Sequence, residues 1–457
     1  MTALYPARRF VVHSLAVFAF VVALLPPGVL AQPARLQTLV SFTNGNGAYP
    51  EAVLTRGSDG NFYGTTSRGG TGDYGTVFAV TTNGELTTLA SFAKTNGAYP
   101  ESGLTAGNDG SFYGVAFTGG TSNYGVVFSV TTNGTLNVLA SFLGANGAYP
   151  SGELAVGPDG AFYDATSSGG DYNVGTIFRV DTNGALTTLA SFDGTNGASP
   201  HAELTPGSDG NFYGVTSYGG ATGDGSIFRV TTNGMLTMIA SFADDETGSA
   251  PLAGLTPVAD GVFIGTTSDG GDSDLGTVFE ASTDGGLTQL LSFDFTNGAF
   301  SHSGLAPGPD GNLYGTTVGG GATGNGTVFQ LTTNGDLTTL VSFAVTNGAG
   351  PACKLALGPD GNFYGVTSAG GDDNLGTVFR LSVPPAPVAI QVVSFSPTNV
   401  VLSFPTVAGQ SYTLQHSASL TAAAWTDDTN ITGTASLFQI NLPMVNVPAQ
   451  FFRVREP

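Results

Sequence analysis

The dipeptide Asp-Gly recurs at Asp59, Asp109, Asp159, Asp209, Asp260, Asp310 and Asp360, at intervals of 50 residues with one interval of 51. Self-similarity at this period restricts the chain to repeat architectures, in which each unit buries its apolar surface only against its neighbours. Residues 204–242 typify the unit. They read Leu-Thr-Pro-Gly-Ser-Asp-Gly-Asn-Phe-Tyr-Gly-Val-Thr-Ser, a Gly-Gly loop, Gly-Ser-Ile-Phe-Arg-Val-Thr-Thr-Asn-Gly, then Leu-Thr-Met-Ile-Ala-Ser-Phe.

Four short strands fit such a unit, rich in Val, Ile, Thr, Phe and Tyr and divided by turn residues. Strand A is expected around Leu54 and its copies, and strand B at Asn61-Phe62-Tyr63-Gly64. Strand C is expected at Val77-Phe78 and strand D at the run ending in Ser-Phe. The A–B and C–D links carry Asp-Gly or Asn-Gly, which predicts type I′ hairpin turns with positive φ at both central residues.

The chain is permuted: it opens with a lone D strand, Leu36 to Phe42, and its last unit stops after strand C at Val378-Phe379-Arg380-Leu381. An open array would leave two exposed sheet edges. Pairing the first D strand with the last C strand instead closes seven four-stranded blades into an all-β, seven-bladed β-propeller. Strands sandwiched between blades are buried on both faces, so each Phe-Tyr pair is read as packing one ring against each neighbouring blade.

Composition fits an acidic ring. The 457 residues include 69 Gly, 33 Asp+Glu and only 12 Lys+Arg, for a net charge of −21. That balance argues against a nucleic-acid partner, which needs basic clusters. One cysteine, Cys353, rules out an internal disulfide framework. Arg8 and Arg9, the apolar run Phe10 to Leu25, a Pro-Pro-Gly break and Val29-Leu30-Ala31 have the form of a secretory leader, with cleavage expected between Ala31 and Gln32. The apolar run is too short for a membrane span. The mature chain is expected to be exported (secreted, periplasmic or at the cell surface), monomeric and without a transmembrane segment.

The run Asp-Gly-Asn-Phe-Tyr-Gly, then Gly-Gly, then Gly-Thr-Val-Phe, then Thr-Asn-Gly-x-Leu-Thr-x-Leu resembles the GloVer-type (choice-of-anchor) tandem repeat of exported bacterial proteins over about residues 36–382. The resemblance implies varied C-terminal anchoring or sorting modules and no particular reaction. The unit is also similar to the kelch repeat, although Leu86 and its equivalents stand where kelch has tryptophan. After the repeat, Val383-Pro384-Pro385-Ala386-Pro387 reads as a stiff linker. Residues 388–457 then read as a small β-sandwich, with runs at Val388–Phe395, Val400–Phe404, Tyr412–His416, Ser436–Leu442 and Phe451–Val454. Tyr412-Thr-Leu-Gln-His-Ser, Trp425 and the ending Phe451-Phe452-Arg453-Val454-Arg455 resemble a C-terminal module of such exported proteins, for anchoring, sorting, adhesion or capping.

In a propeller, tight A–B and C–D turns occupy one face, and the longer B–C and D–A loops the other. Any glycan or protein ligand is expected on the loop face. Tyr49, Tyr99, Tyr149 and Phe300 form a candidate aromatic platform there, against a simpler reading as loop packing. Asp272, Asp274, Asp372 and Asp373 lie in equivalent acidic loops, with Asp244, Asp245 and Glu246 in the lengthened unit. They are read as a solvated rim or, without a matching EF-hand spacing, as calcium ligands. The Asp of Asp-Gly is read as a turn former. His201 and His302 occupy near-equivalent places after the D–A loop and are read as polar loop residues, and no catalytic residue is nominated. The function expected is an exported, non-catalytic binding or cell-surface interaction protein; the alternative is an extracellular polysaccharide hydrolase or lyase. Carboxylates from different blades converging at the channel mouth would favour the enzyme. A ring of Gly, Thr and backbone there would favour binding or a structural role.

Overall fold

A computed structural model describes residues 34–332 and 334–384, and beyond them 391–395, 399–406, 411–417, 426–433, 437–443 and 451–455. Ala31, Gln32 and Trp425 lie outside the described residues.

Residues Ala34–Val383 form one compact unit: seven antiparallel sheets built as propeller blades. In the first blade the order from the axis outward is Thr55–Arg56, Phe62–Thr66, Thr76–Val80 and Leu86–Ser91. The last blade is shared: Arg35–Ser41 pairs with Thr377–Ser382, from Arg35 opposite Ser382 to Ser41 opposite Thr377. The expected closure is therefore the observed one, and Thr377–Ser382 is not left as an unpaired edge in the seventh blade.

Strand B is buried along its whole length in the first blade, as a strand covered on both faces must be. Tyr63 stacks on Phe112 of the next blade with ring centroids 4.2 Å apart, and the ring-closing pair Tyr364–Phe62 lies at 4.4 Å. This contact recurs around the ring except between the fifth and sixth blades, where Ile264 and Leu313 replace both aromatics in one shared cluster. Each strand-D phenylalanine meets a strand-C phenylalanine edge-on, as in Phe92–Phe128 at 5.0 Å. Such edge-on pairs add to the plain burial of the rings.

Two local expectations are corrected. At the A–B and C–D links Gly60 and Gly84 have φ of +85° and +90°, but Asp59 and Asn83 do not join them in the left-handed region. The Gly84 N–H donates to the Thr81 carbonyl at 2.9 Å and the Thr81 N–H to the Glu85 carbonyl at 3.0 Å. This is a type I turn closed by a left-handed glycine and a bulge, not type I′. Strand A is only two residues long and starts just after Leu54, because its N-terminal side turns into the channel wall.

The Asp of Asp-Gly does more than form the turn. Asp59 Oδ1 accepts the Asn61 N–H at 3.1 Å, and Oδ2 accepts the Tyr63 hydroxyl at 2.9 Å. Asp109, Asp159, Asp209, Asp310 and Asp360 hold the equivalent tyrosines. The fifth blade has Ile264 there, and its Asp260 instead accepts from the Ser208 hydroxyl of the preceding blade.

Residues 384–457 belong to a second unit. It holds two three-stranded antiparallel sheets, ordered Gln391–Phe395, Asn399–Pro405, Leu437–Pro443 and Thr426–Thr432, Ser411–Ser417, Phe451–Arg455. Leu402, Phe404, Tyr412, Leu414 and Ile431 make one apolar cluster. The polar strand Thr426–Thr432 was not anticipated, since Asp427, Asp428 and Asn430 carry no strand signal.

Candidate functional site

The D–A segment of every unit runs inward from the rim. Tyr49 has φ of +54°, and Tyr99, Tyr149, Ser199, Ala250 and Phe300 share that left-handed geometry, with Gly350 completing the set. Side chains other than glycine are disfavoured there, so the conformation is imposed by the scaffold. The Tyr49 N–H donates across the blade boundary to the Leu375 carbonyl at 2.9 Å, and all seven equivalents make the same bond to the preceding blade. The kink delivers the next residues into the centre of the ring.

Three successive positions therefore line a cavity of about 130 Å³ in the central channel, and the outer two of the three carry its charged groups and histidines. The first series is Glu51, Glu101, Ser151, His201, Leu252, His302 and Ala352. The second, two residues on, is Val53, Gly103, Glu153, Glu203, Gly254, Gly304 and Lys354. The copies diverge at both positions, and four carboxylates from four units meet with two histidines and a lysine. Glutamates occupy space that neighbouring glycines leave. A Cβ on Gly103 would fall 3.0 Å from Glu153 Oε2, and one on Gly254 would fall 2.3 Å from the Glu203 carboxyl carbon.

A fifth carboxyl stands behind the wall. Asp164 replaces the glycine found at this strand-B site in the other six units. It is fully buried, and neither oxygen has a hydrogen-bond partner of good geometry; burial is the largest influence on it, and the Ala165 backbone N–H acts the other way, favouring its charge. Gly152, a channel-lining residue, is all that separates it from the cavity.

The electrostatics follow from enclosure. Burial, and then the charge of Glu203, push the Glu153 carboxyl up to about 8. Burial, and then Glu51, push Glu101 up to about 7. Burial raises Asp164 well above the ordinary carboxylate range, with Glu203 and Glu153 adding to it. Burial raises Glu51 too, against the opposing charge of Arg68. Burial lowers both His201 and His302. His201 Nδ1 lies 3.3 Å from Ser151 Oγ and His302 Nε2 lies 3.3 Å from Ser268 Oγ. The channel can thus present protonated carboxyl groups and neutral imidazoles near pH 7, the states in which such groups donate or accept protons.

The aromatic candidates stand at the rim of this channel, two residues before its lining. Tyr49 and Phe300 are each 37% exposed. Tyr99 lies under the Arg68 guanidinium at 4.8 Å and 6.1 Å from Tyr74. Tyr149 packs between Phe117 at 5.1 Å and Tyr124 at 5.8 Å. The first three units thus set an arc of aromatic residues along the rim, in two contacting groups beside Tyr49, whereas Phe300 stands apart in the sixth.

The acidic loops do not converge. Asp272 and Asp274 belong to the fifth blade, Asp372 and Asp373 to the seventh, and Asp274 Oδ1 accepts the Gly270 N–H at 3.0 Å within its own loop. Asp244, Asp245 and Glu246 form a single helical turn that absorbs the extra residue. No group of three or more metal-ligating side chains occurs among the described residues. His201 and His302, read as polar loop residues, lie in the loop before strand A, which the D–A kink turns into the channel. His416 lies in the second unit, 2.6 Å from Asp428. Cys353 is buried in the channel wall, its thiol pushed up to about 11 by burial.

Among solved structures, the chain is similar to a putative 6-phosphogluconolactonase from Bacteroides uniformis (17% identity, 63% of this chain and 83% of that one, TM-score 0.44). It is also similar to an exo-beta-1,3-galactanase from Phanerochaete chrysosporium (14% identity, 92% and 96%, TM-score 0.34). A third is a PL25 ulvan lyase (10% identity, 79% and 91%, TM-score 0.34). No curated protein matches the chain. The Gloeobacter/Verrucomicrobia repeat model matches residues 29–223, 103–260 and 206–434, which together take in the whole propeller, and the chain belongs to that repeat family.

Proposed function

We propose that the protein is an exported bacterial enzyme that cleaves an extracellular polysaccharide, as a hydrolase or lyase, at the mouth of its central channel. One observation carries this reading: Glu51, Glu101, Glu153 and Glu203 come from four different units and share one cavity with His201, His302 and Lys354. Acid–base cleavage needs a proton donor and a proton acceptor held apart in affinity. Glu153, with its affinity raised by burial and by Glu203, has the character of the donor. The aromatic arc of Tyr49, Tyr74, Tyr99, Tyr124 and Tyr149, in which Tyr49 and Tyr124 are exposed and the other three half-buried, supplies stacking surface for sugar rings. Export rests on Arg8, Arg9 and the apolar run that follows.

The second reading, non-catalytic binding, is favoured by the cavity's size. At about 130 Å³ it lies below the range of about 300–1,000 Å³ usual for small-molecule sites. The deciding experiment incubates residues 32–457 with a polysaccharide panel, with and without calcium. It follows reducing ends and unsaturated products, and measures retention on the same polysaccharides. Product release that is lost in Glu153→Gln and Glu203→Gln, with the fold intact, supports the enzyme. Retention without product establishes the binding reading, and neither retention nor product overturns both.

A further inference from the structure

Taking the channel as the functional site, the charge within it specifies what enters. Its lining brings the carboxyls of Glu51, Glu101, Glu153 and Glu203 against one lysine, Lys354; ring nitrogens of His201 and His302 lie beside the hydroxyls of Ser151 and Ser268, and the Asp269 carboxylate also acts on His302. Among the described residues no ion pair joins Lys354 to any of these acids. Burial and neighbouring charge act on Glu51, Glu101 and Glu153, but no hydrogen-bond donor does. Asp164 adds an independent sign: a fully buried carboxyl, both oxygens unpartnered, directed at Gly152 of the channel wall.

An unpaired buried carboxyl costs a few kcal/mol, and a chain that could place glycine at residue 164, as its six sister units do, carries that cost at this one position. Water hydroxyls or a neutral sugar would relieve it only through hydrogen bonds. A cation would relieve it and let the acids ionise together. The space suits a single cationic group, with the body of the ligand left at the aromatic rim, where the exposed Tyr49 presents a face that also attracts cations.

We infer that the channel recognises the free ammonium group of an amino sugar, seated against Glu153 and Glu203 with Asp164 behind Gly152, while the sugar ring rests on the tyrosine arc. The inference rests on the channel being the site, and its test separates the two. Calorimetry with the 32–457 chain compares glucosamine oligomers bearing free amines, their N-acetylated counterparts and neutral glucose oligomers of equal length. The free amines should bind at least about tenfold tighter, a difference that shrinks with added salt. Titration in buffers of different ionisation enthalpy should show protons released on binding at pH 7, as acids that were protonated ionise. Asp164→Asn should weaken the free amines several-fold and leave neutral oligomers unchanged. Equal affinity for free and acetylated amines, or no proton release, overturns the cation inference and leaves the channel as the site. Binding of free amines that is indifferent to both Asp164→Asn and Glu153→Gln overturns the placement of the ligand in the channel.

Discussion

Oδ1 of Asp164 lies 2.3 Å from where a Cβ on Gly152 would stand, so the two residues are sterically interlocked. The other six units invert the arrangement, with Ala52, Ser102, Ala202, Ala253, Ser303 and Cys353 at the wall position and glycine at the strand-B position. A large group at one site requires a small one at the other, and the third unit alone has made the exchange.

That interlock sets a double-mutant cycle. Gly152→Ala alone should destabilise by about 1–3 kcal/mol through overpacking. In an Asp164→Gly background the same alanine should be close to neutral, because the pair then matches its sister units. Denaturant unfolding of the four proteins gives the coupling energy; additive effects would refute the interlock.

Asp164→Gly by itself should raise stability near pH 7. Removing an unsatisfied buried carboxyl recovers about 1–3 kcal/mol, against about 0.5–1 kcal/mol for glycine in a strand. A lower melting temperature than the parent would mean that Asp164 has a structural partner.

Stability should also depend on pH through the channel acids. Glu101 and Glu153 are raised from 4.5 to about 7 and about 8 in the folded protein. Below the unfolded value both states are protonated and nothing is lost. As pH rises from about 4.5 to about 8, the unfolded chain ionises while the folded one holds its protons, so stability falls across that window and levels off above it. Glu153→Gln should flatten the upper part of the slope, as thermal melts at intervals of pH would record.

Closure of the ring is the most global prediction. Deleting residues 32–44 removes the strand that pairs with Thr377–Ser382 and also Phe42, which sits 5.2 Å from Phe78. The truncated chain should lose cooperative unfolding or fail to fold, read by circular dichroism and calorimetry. A deletion variant as stable as the parent would refute the shared blade.

The ring was legible in the sequence because its determinants are local and recur. A left-handed glycine, an Asx residue and a Phe-Tyr pair at fixed offsets announce the same hairpins each time. Turn type was misjudged because Asp-Gly and Asn-Gly satisfy both a type I′ turn and a type I turn with a bulge, and only the hydrogen bonds of Thr81 with Gly84 and Glu85 decide. The site was harder to see for a geometric reason. Glu101, Glu153, Glu203 and Lys354 lie about one repeat or more apart, each beside a turn, and each alone reads as a solvated loop residue. Comparing the copies column by column would have exposed them, since charged residues enter the columns through Glu51 and Val53 while the flanking column through Leu54 is leucine in every unit. Asp164 carried such a signal as the odd member of a glycine column. Nothing in the linear pattern shows that the left-handed kink at Tyr49 turns the following column inward.

The bond between Arg380 and Gln37 joins residues 343 positions apart. As the chain leaves the ribosome, its first strand must therefore wait, unpaired, through the synthesis of every other blade. Closing so long a loop is entropically slow, and the waiting strand is an exposed edge throughout. Its polar, exposed outer residues, Arg35 and Gln37, are well suited to that interval: they keep a strand destined for the last pairing event from finding an earlier and wrong one.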